Sequence, residues 1–195
     1  YPNAGYGGGF KRWLNDCHPK PYNSYGNGSA MRVSPIAFYA QSLEETLRLA
    51  TISAEVTHNH PEGIKGAKAI AAATYLARTG ATKAEIKAYI EEDYKYNLNQ
   101  QLDDIWPALT TDLTCQKTVP AAILAFLKGE DFEDVIRIAV SLGGDSDTLA
   151  AMAGSIAQAF YGLPQKLATH CYALLTPDLR TILCKFEESI GTLIP

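Results

Sequence analysis

Apolar positions recur at three- and four-residue steps along most of the chain after residue 30. Leu43, Leu47, Ala50 and Ala54 form one such stripe, and Ile64, Ala67, Ala71, Tyr75 and Leu76 form another that Gly80 stops; this is the spacing of one face of an α-helix. Ser42 with Glu45, and Thr82 with Glu85, stand at the interval of a capping box. In that motif hydroxyl and carboxylate satisfy amides that a first helical turn leaves unpaired. Further helices are expected over 83–94, 118–128, 131–141, 147–161, 164–175 and 178–190. Pro120, Pro164 and Pro177 then fall near first turns, where a missing amide hydrogen costs little. No stretch alternates with period two for long enough to make a strand. The expected fold class is all-α, a compact, orthogonally packed multi-helix domain with short loops, occupying 1–195 as one domain.

Composition narrows the function classes. The 195 residues suffice for a core, and 47% hydrophobic against 19% charged residues excludes a disordered tail. Seventeen Lys and Arg against 21 Asp and Glu give a net charge of −4. The basic residues are scattered, so no nucleic-acid partner is expected. The apolar runs 119–127 and 149–160 are interrupted or too short to span a bilayer, and no charged leader precedes an apolar stretch. No membrane partner and a cytoplasmic location are expected. Cys17, Cys115, Cys171 and Cys184 contain no C-x-x-C pair, which argues against structural zinc and against a disulfide scaffold. They are expected to be reduced, the last three buried in helices. Position 1 is Tyr rather than Met, so the chain is expected to begin inside a longer protein.

Two segments carry candidate chemistry. Residues 1–29 form a glycine-rich loop region, with Gly5, Gly7, Gly8, Gly9, Gly26 and Gly28 among Tyr, Asn and Ser. Ordinary turn chemistry explains such a segment, and so does an anion-binding nest of backbone amides. The second segment is Gly143-Gly144-Asp145-Ser146-Asp147-Thr148, which runs straight into a helix of small residues. Carboxylates two residues apart do not share a helix face, so Asp145 and Asp147 converge only if they lie in the turn or at the very start of the helix. As hard oxygen donors they suit Mg²⁺, Mn²⁺ or Ca²⁺. An acidic N-cap that stabilises the helix without any metal is the competing reading.

Together these stretches resemble the ADP-ribosylglycohydrolase family. The matching residues are Gly5-Tyr6-Gly7-Gly8-Gly9-Phe10, then Ser24-Tyr25-Gly26-Asn27-Gly28-Ser29-Ala30-Met31-Arg32-Val33-Ser34-Pro35, then Thr57-His58-Asn59-His60-Pro61-Glu62, then Thr118-Val119-Pro120-Ala121-Ala122, and finally 143–148, in the family's order. The resemblance implies an all-α fold with a two-Mg²⁺ centre, Mn²⁺ being a possible substitute, that cleaves the bond between C1″ of ADP-ribose and an acceptor. It implies Asp145, Asp147 and Thr148 as metal ligands. It implies Gly5, Tyr6 and Gly7 as a diphosphate loop, Asn27, Gly28, Ser29 and Met31 as lining of the ADP-ribose pocket, and His58 and His60 as flanking the nucleotide. The two histidines also read as plain helix-end residues, one in the last turn before Pro61. Arg32 reads either as a diphosphate partner or as a structural salt-bridge residue.

The chain departs from the family in one respect. Family members carry, upstream of the Gly-Tyr-Gly loop, an acidic Thr-Asp-Asp-Thr type motif that supplies the other metal ligands and the candidate acid/base, and this sequence does not contain it. Asp103-Asp104 and Thr111-Asp112 lack its context, so no catalytic residue is assigned. The chain is expected to be the C-terminal part of the family domain, its partners being an ADP-ribosylated protein or conjugate and a missing N-terminal segment of the same protein. The implied function is a Mg²⁺-dependent hydrolase removing ADP-ribose from a modified protein side chain or a small conjugate, incomplete in this chain. The alternative is a non-catalytic ADP-ribose- or nucleotide-binding helical module, or a truncated remnant.

Overall fold

A computed structural model of the chain describes residues 1, 4–109 and 112–191; Thr111 and the last four positions of the expected 1–195 domain lie outside them. Among the described residues twelve helices follow one another, with no strand. The first three are short: α1 (Gly8–Leu14), α2 (Gly28–Met31) and α3 (Ser34–Tyr39). Next come α4 (Leu43–Glu55), α5 (Pro61–Arg78), α6 (Lys83–Tyr94) and α7 (Leu102–Leu109). The series ends with α8 (Cys115–Lys128), α9 (Phe132–Ser141), α10 (Ser146–Tyr161), α11 (Gln165–Leu174) and α12 (Pro177–Ile190). The all-α expectation agrees with this, and no described helix is long and apolar enough to cross a membrane.

Local chemistry sets the helix starts. Thr82 and Glu85 form the full capping box expected of them. At Ser42 only half forms: its hydroxyl accepts from the Glu45 amide, while the Glu45 carboxylate turns to the amide of Gln41. Three expectations are corrected. Pro120 is not in a first turn, because α8 begins at Cys115 and holds the proline in its interior, where it removes a backbone donor and crowds the preceding turn. The 1–29 region is not all loop, since it contains α1 and the start of α2. Cys171 is exposed and Cys184 half-buried, with only Cys115 buried, because α11 and α12 contribute no residue to the main core cluster.

That core is organised around α5. Gly63, Gly66, Ala67, Ala69, Ala71, Ala72, Ala73 and Ala77 of α5 are all buried, and no residue of the helix after Pro61 is exposed, as in a helix that other elements surround. It packs against α2, α3, α4, α6, α8 and α10. Small side chains shorten the distance at which a neighbouring helix can run. The tightest approach is at Gly66, where a Cβ would lie 2.5 Å from the sulfur of Cys115 and 2.8 Å from its Cβ. Gly66→Val is expected to push α8 off α5 and to lower stability by about 2 kcal/mol, read from the urea midpoint. An unchanged midpoint would show that the contact has slack.

Candidate functional site

Residues 22–27 are held from two sides. On one side the amides of Tyr22 and Ser24 both donate to the carbonyl of Thr57, each at 3.4 Å. On the other, the amide of Cys115 donates to Tyr25 O at 2.9 Å and that of Asn27 to Leu113 O at 2.8 Å, around an isolated antiparallel bridge between Gly26 and Thr114. Beneath lies the first turn of α5. A Cβ on Gly63 would stand 2.7 Å from Ser24 O, so only glycine admits the loop this close. The Ser29 hydroxyl donates to Gly63 O at 2.8 Å and the Cys115 thiol to Gly26 O at 3.1 Å. Burial pushes that thiol up to about 11, which keeps it protonated and a donor rather than a nucleophile.

The 143–148 segment meets this loop. Gly143 and Gly144 have φ of 67° and 61°, a consecutive left-handed pair that glycine adopts without strain. The turn places Asp145 at the N-cap of α10 and Asp147 and Thr148 in its first turn, as their spacing requires. Asn27, itself the N-cap of α2, donates from its carboxamide to Oδ2 of Asp145 at 2.7 Å across 118 positions of sequence. Neither residue caps its own helix with its side chain. The Asp147 carboxylate accepts from the amide of Thr148 at 2.9 Å, and the Thr148 hydroxyl donates to the sulfur of Met31 at 3.4 Å.

Two carboxylates and a hydroxyl are the hard donors that Mg²⁺ or Mn²⁺ prefers. They fit such an ion as one side of its shell and are too few to complete it. Among the described residues no group of three or more His, Cys, Asp or Glu is gathered that could hold a metal. Nor does any described bond take Oδ1 of Asp145 or Oδ2 of Asp147. A depression of about 410 Å³, lined by Leu102, Asp103, Ile138, Ser141 and Leu142, borders the turn just before Gly143.

His58 lies against the glycine loop, a Cβ on Gly26 standing 3.9 Å from its Nε2. It is 6% exposed, and a Cβ on Gly28 would approach its Nε2 to 3.3 Å. Its Nδ1 lies 2.7 Å from the Thr57 hydroxyl. The guanidinium of Arg32 donates to Thr57 Oγ1 at 3.0 Å, to Ser53 O at 2.9 Å and to Gly28 O at 3.4 Å, so Arg32 is a structural anchor built on carbonyls and a hydroxyl. His60 is the N-cap of α5, its Nδ1 accepting from the amide of Glu62 at 3.1 Å, and its ring lies 5.1 Å from that of Tyr25.

The structure therefore gathers Asn27, Gly28, Ser29, Met31, His58, Asp145, Asp147 and Thr148 into one neighbourhood and sets His60 beside it. Gly5, Tyr6 and Gly7 lead into α1, whose described approach to the site is through Gly9 against the ring of Tyr22. Tyr22 in turn lies 6.1 Å from the ring of His58. Tyr6 packs edge-on against Phe10 at 5.3 Å, while the surroundings of Gly5 and Gly7 are open. As parts of this site Thr57, Tyr22 and Cys115 escaped the sequence, although Thr57 stands in the stretch 57–62 and Cys115 is buried as expected. Thr57 was visible only as the hydroxyl preceding His58, and nothing local marks the other two.

Burial first, and the Arg32 charge second, lower the pKa of His58 from 6.5 to about 4. The unfolded chain then binds a proton that the folded chain refuses, so this contribution to stability is full above pH 6.5 and is lost as the pH falls through 4. From pH 7 to pH 4 the chain is expected to lose about 2–3 kcal/mol more than His58→Gln does, measured by urea unfolding at each pH. Parallel losses in the two proteins would contradict a buried neutral ring.

Comparison with known proteins agrees with the helical fold. The family described as ADP-ribosylglycohydrolase matches residues 2–190. ADP-ribosylhydrolase ARH3 of Homo sapiens is 30% identical, the match covering 84% of this chain and 61% of that protein. ADP-ribosylarginine hydrolase Tri1 of Pseudomonas putida is also 30% identical, over 77% of this chain and 42% of its own length. A solved structure described as an ADP-ribosylglycohydrolase-related protein complex superposes with a TM-score of 0.68 at 27% identity, covering 93% of this chain and 65% of that one. The chain spans about 60% of the ARH3 proteins of mouse and human. With a match over nearly its whole length and a helical fold to go with it, this chain belongs to the ADP-ribosylglycohydrolase family.

Proposed function

We propose that the chain forms the ADP-ribose pocket and one side of the metal centre of a hydrolase that removes ADP-ribose from a modified protein side chain or a small ADP-ribosyl conjugate. The observation that carries this reading is the bond between Asn27 and Asp145. Two helix N-caps give up capping their own helices to join each other, which ties the glycine loop to the carboxylate turn. An acidic N-cap acting alone would have turned its carboxylate to the amides of α10.

Asp145, Asp147 and Thr148 would hold Mg²⁺ or Mn²⁺ from one side. When bound, such an ion supplies Lewis acidity to ribose hydroxyls and lowers the pKa of a coordinated water. The chain's own residues would orient the substrate. Asn27 fixes the Asp145 carboxylate by occupying one oxygen, Gly28 leaves room for a phosphate to approach the backbone, and His58 offers a neutral donor beside it. Metal and neutral donors answer a specific need, because a chain of net charge −4 lacks a basic cluster to meet a diphosphate. The second reading is a binding module without turnover, favoured by the absence among the described residues of a third acidic or imidazole ligand beside Asp145 and Asp147. Incubating an ADP-ribosylated peptide and Mg²⁺ with this chain joined to a segment that carries the acidic Thr-Asp-Asp-Thr type motif separates the two, since the completed hydrolase releases ADP-ribose and the module retains it.

In calorimetric titrations with ADP-ribose, Asp145→Asn and Asp147→Asn are each expected to abolish the Mg²⁺-dependent part of binding. Helical content should stay unchanged, because a lost helix-terminus charge costs only about 0.3–1 kcal/mol. An intact Mg²⁺ response in both would restore the plain N-cap. Gly28→Val is expected to weaken ADP-ribose about tenfold by crowding His58 Nε2. Parent-like affinity would move the ligand away from this loop.

A further inference from the structure

The polar contacts of His58 fix more than its position. A guanidinium only donates, so where Arg32 Nη2 lies 3.0 Å from Thr57 Oγ1 the hydroxyl oxygen is the acceptor. The oxygen has a second lone pair, but among the described residues its one hydrogen meets no acceptor other than Nδ1 of His58, 2.7 Å away, and there the hydroxyl donates. A ring nitrogen that accepts carries no proton, and a neutral imidazole then carries its hydrogen on Nε2. That nitrogen faces the glycine loop, where a Cβ on Gly28 would lie 3.3 Å from it and one on Gly26 3.9 Å. Every link is anchored without a ligand. Arg32 is held by Ser53 O and Gly28 O. Thr57 is 1% exposed, β-branched and therefore stiff at χ1, and its carbonyl takes the amides of Tyr22 and Ser24.

We propose that Arg32 and Thr57 are positioning residues that lock His58 as its Nε2-protonated form and present that N–H to a phosphate oxygen of ADP-ribose beside Gly28; this rests on the ADP-ribose reading above. The relay uses a cation without bringing it to the ligand. The positive charge stays on Arg32, two hydrogen bonds back, while the group facing the pocket is neutral. The Arg32 guanidinium and the Tyr22 ring face His58, and burial with the Arg32 charge resists a second proton on the ring. The orientation of the donor is thus set before the ligand arrives, so little ordering of this side chain remains to be done on binding.

The test uses the 195-residue chain, its Thr57→Ser and Thr57→Val variants, ¹⁵N–¹H correlation spectra of the imidazole nitrogens and calorimetry with ADP-ribose. The parent chain and Thr57→Ser are expected to show Nδ1 unprotonated and Nε2 protonated, with equal affinities. Thr57→Val keeps the shape of the side chain and removes the donor. It is expected to show a mixture of tautomers and about tenfold weaker binding. A protonated Nδ1 in the parent overturns the proposal, and so does a Thr57→Val chain that binds like the parent. A parent chain with the expected nitrogens that binds no ADP-ribose defeats the ADP-ribose reading while leaving the lock on the tautomer in place.

Discussion

The arrangement depends on how closely neighbours can approach α5. Its buried face is alanine and glycine for most of its length, so α2, α4, α8 and α10 all crowd against one helix. Gly63 admits the backbone of Ser24, and Gly66 admits Cys115. These two glycines bring the 22–27 loop and the start of α8 within hydrogen-bond distance of each other. Further along, Thr74 of α5 lies 3.3 Å from Ser155 of α10, which sets α10 alongside. With α2 and α10 both resting on α5, their N-termini meet, and Asn27 reaches Asp145.

The polar groups at that meeting point divide into two kinds. Asp145, Asp147 and the Thr148 hydroxyl form a cluster of hard oxygens at the start of α10. Across Asn27 lies His58, held neutral by burial and by the Arg32 charge. A diphosphate joined to a ribose has the matching polarity, with anionic oxygens at one end and hydroxyls that a metal can hold at the other. On the proposed reading the site needs no cluster of lysines and arginines, in keeping with the scattered basic residues of the chain.

Much of this was legible because it was local. The capping residues Ser42 and Thr82, the stop at Gly80, and a turn that needs two left-handed residues before Asp145 all act within a few positions of sequence. What escaped required knowing which distant segments meet. The bond from Asn27 to Asp145 depends on two helices packing on a third, and the importance of Thr57 depends on Arg32 lying within reach across the α2–α4 contact. Pro120 misled because its usual first-turn position was overridden where Thr114 and Cys115 pair with the loop at 25–26. The cysteines of α11 and α12 misled because apolar spacing in those helices resembles a core face although neither joins the main core.

Hydrogen exchange followed by mass spectrometry, with and without ADP-ribose and Mg²⁺, shows whether the glycine loop, the His58 segment and the start of α10 make one binding surface. ADP-ribose with Mg²⁺ is expected to slow exchange together in peptides covering 24–31, 57–60 and 143–149. Protection confined to one of these segments, or appearing only around α11 and α12, would contradict a single surface.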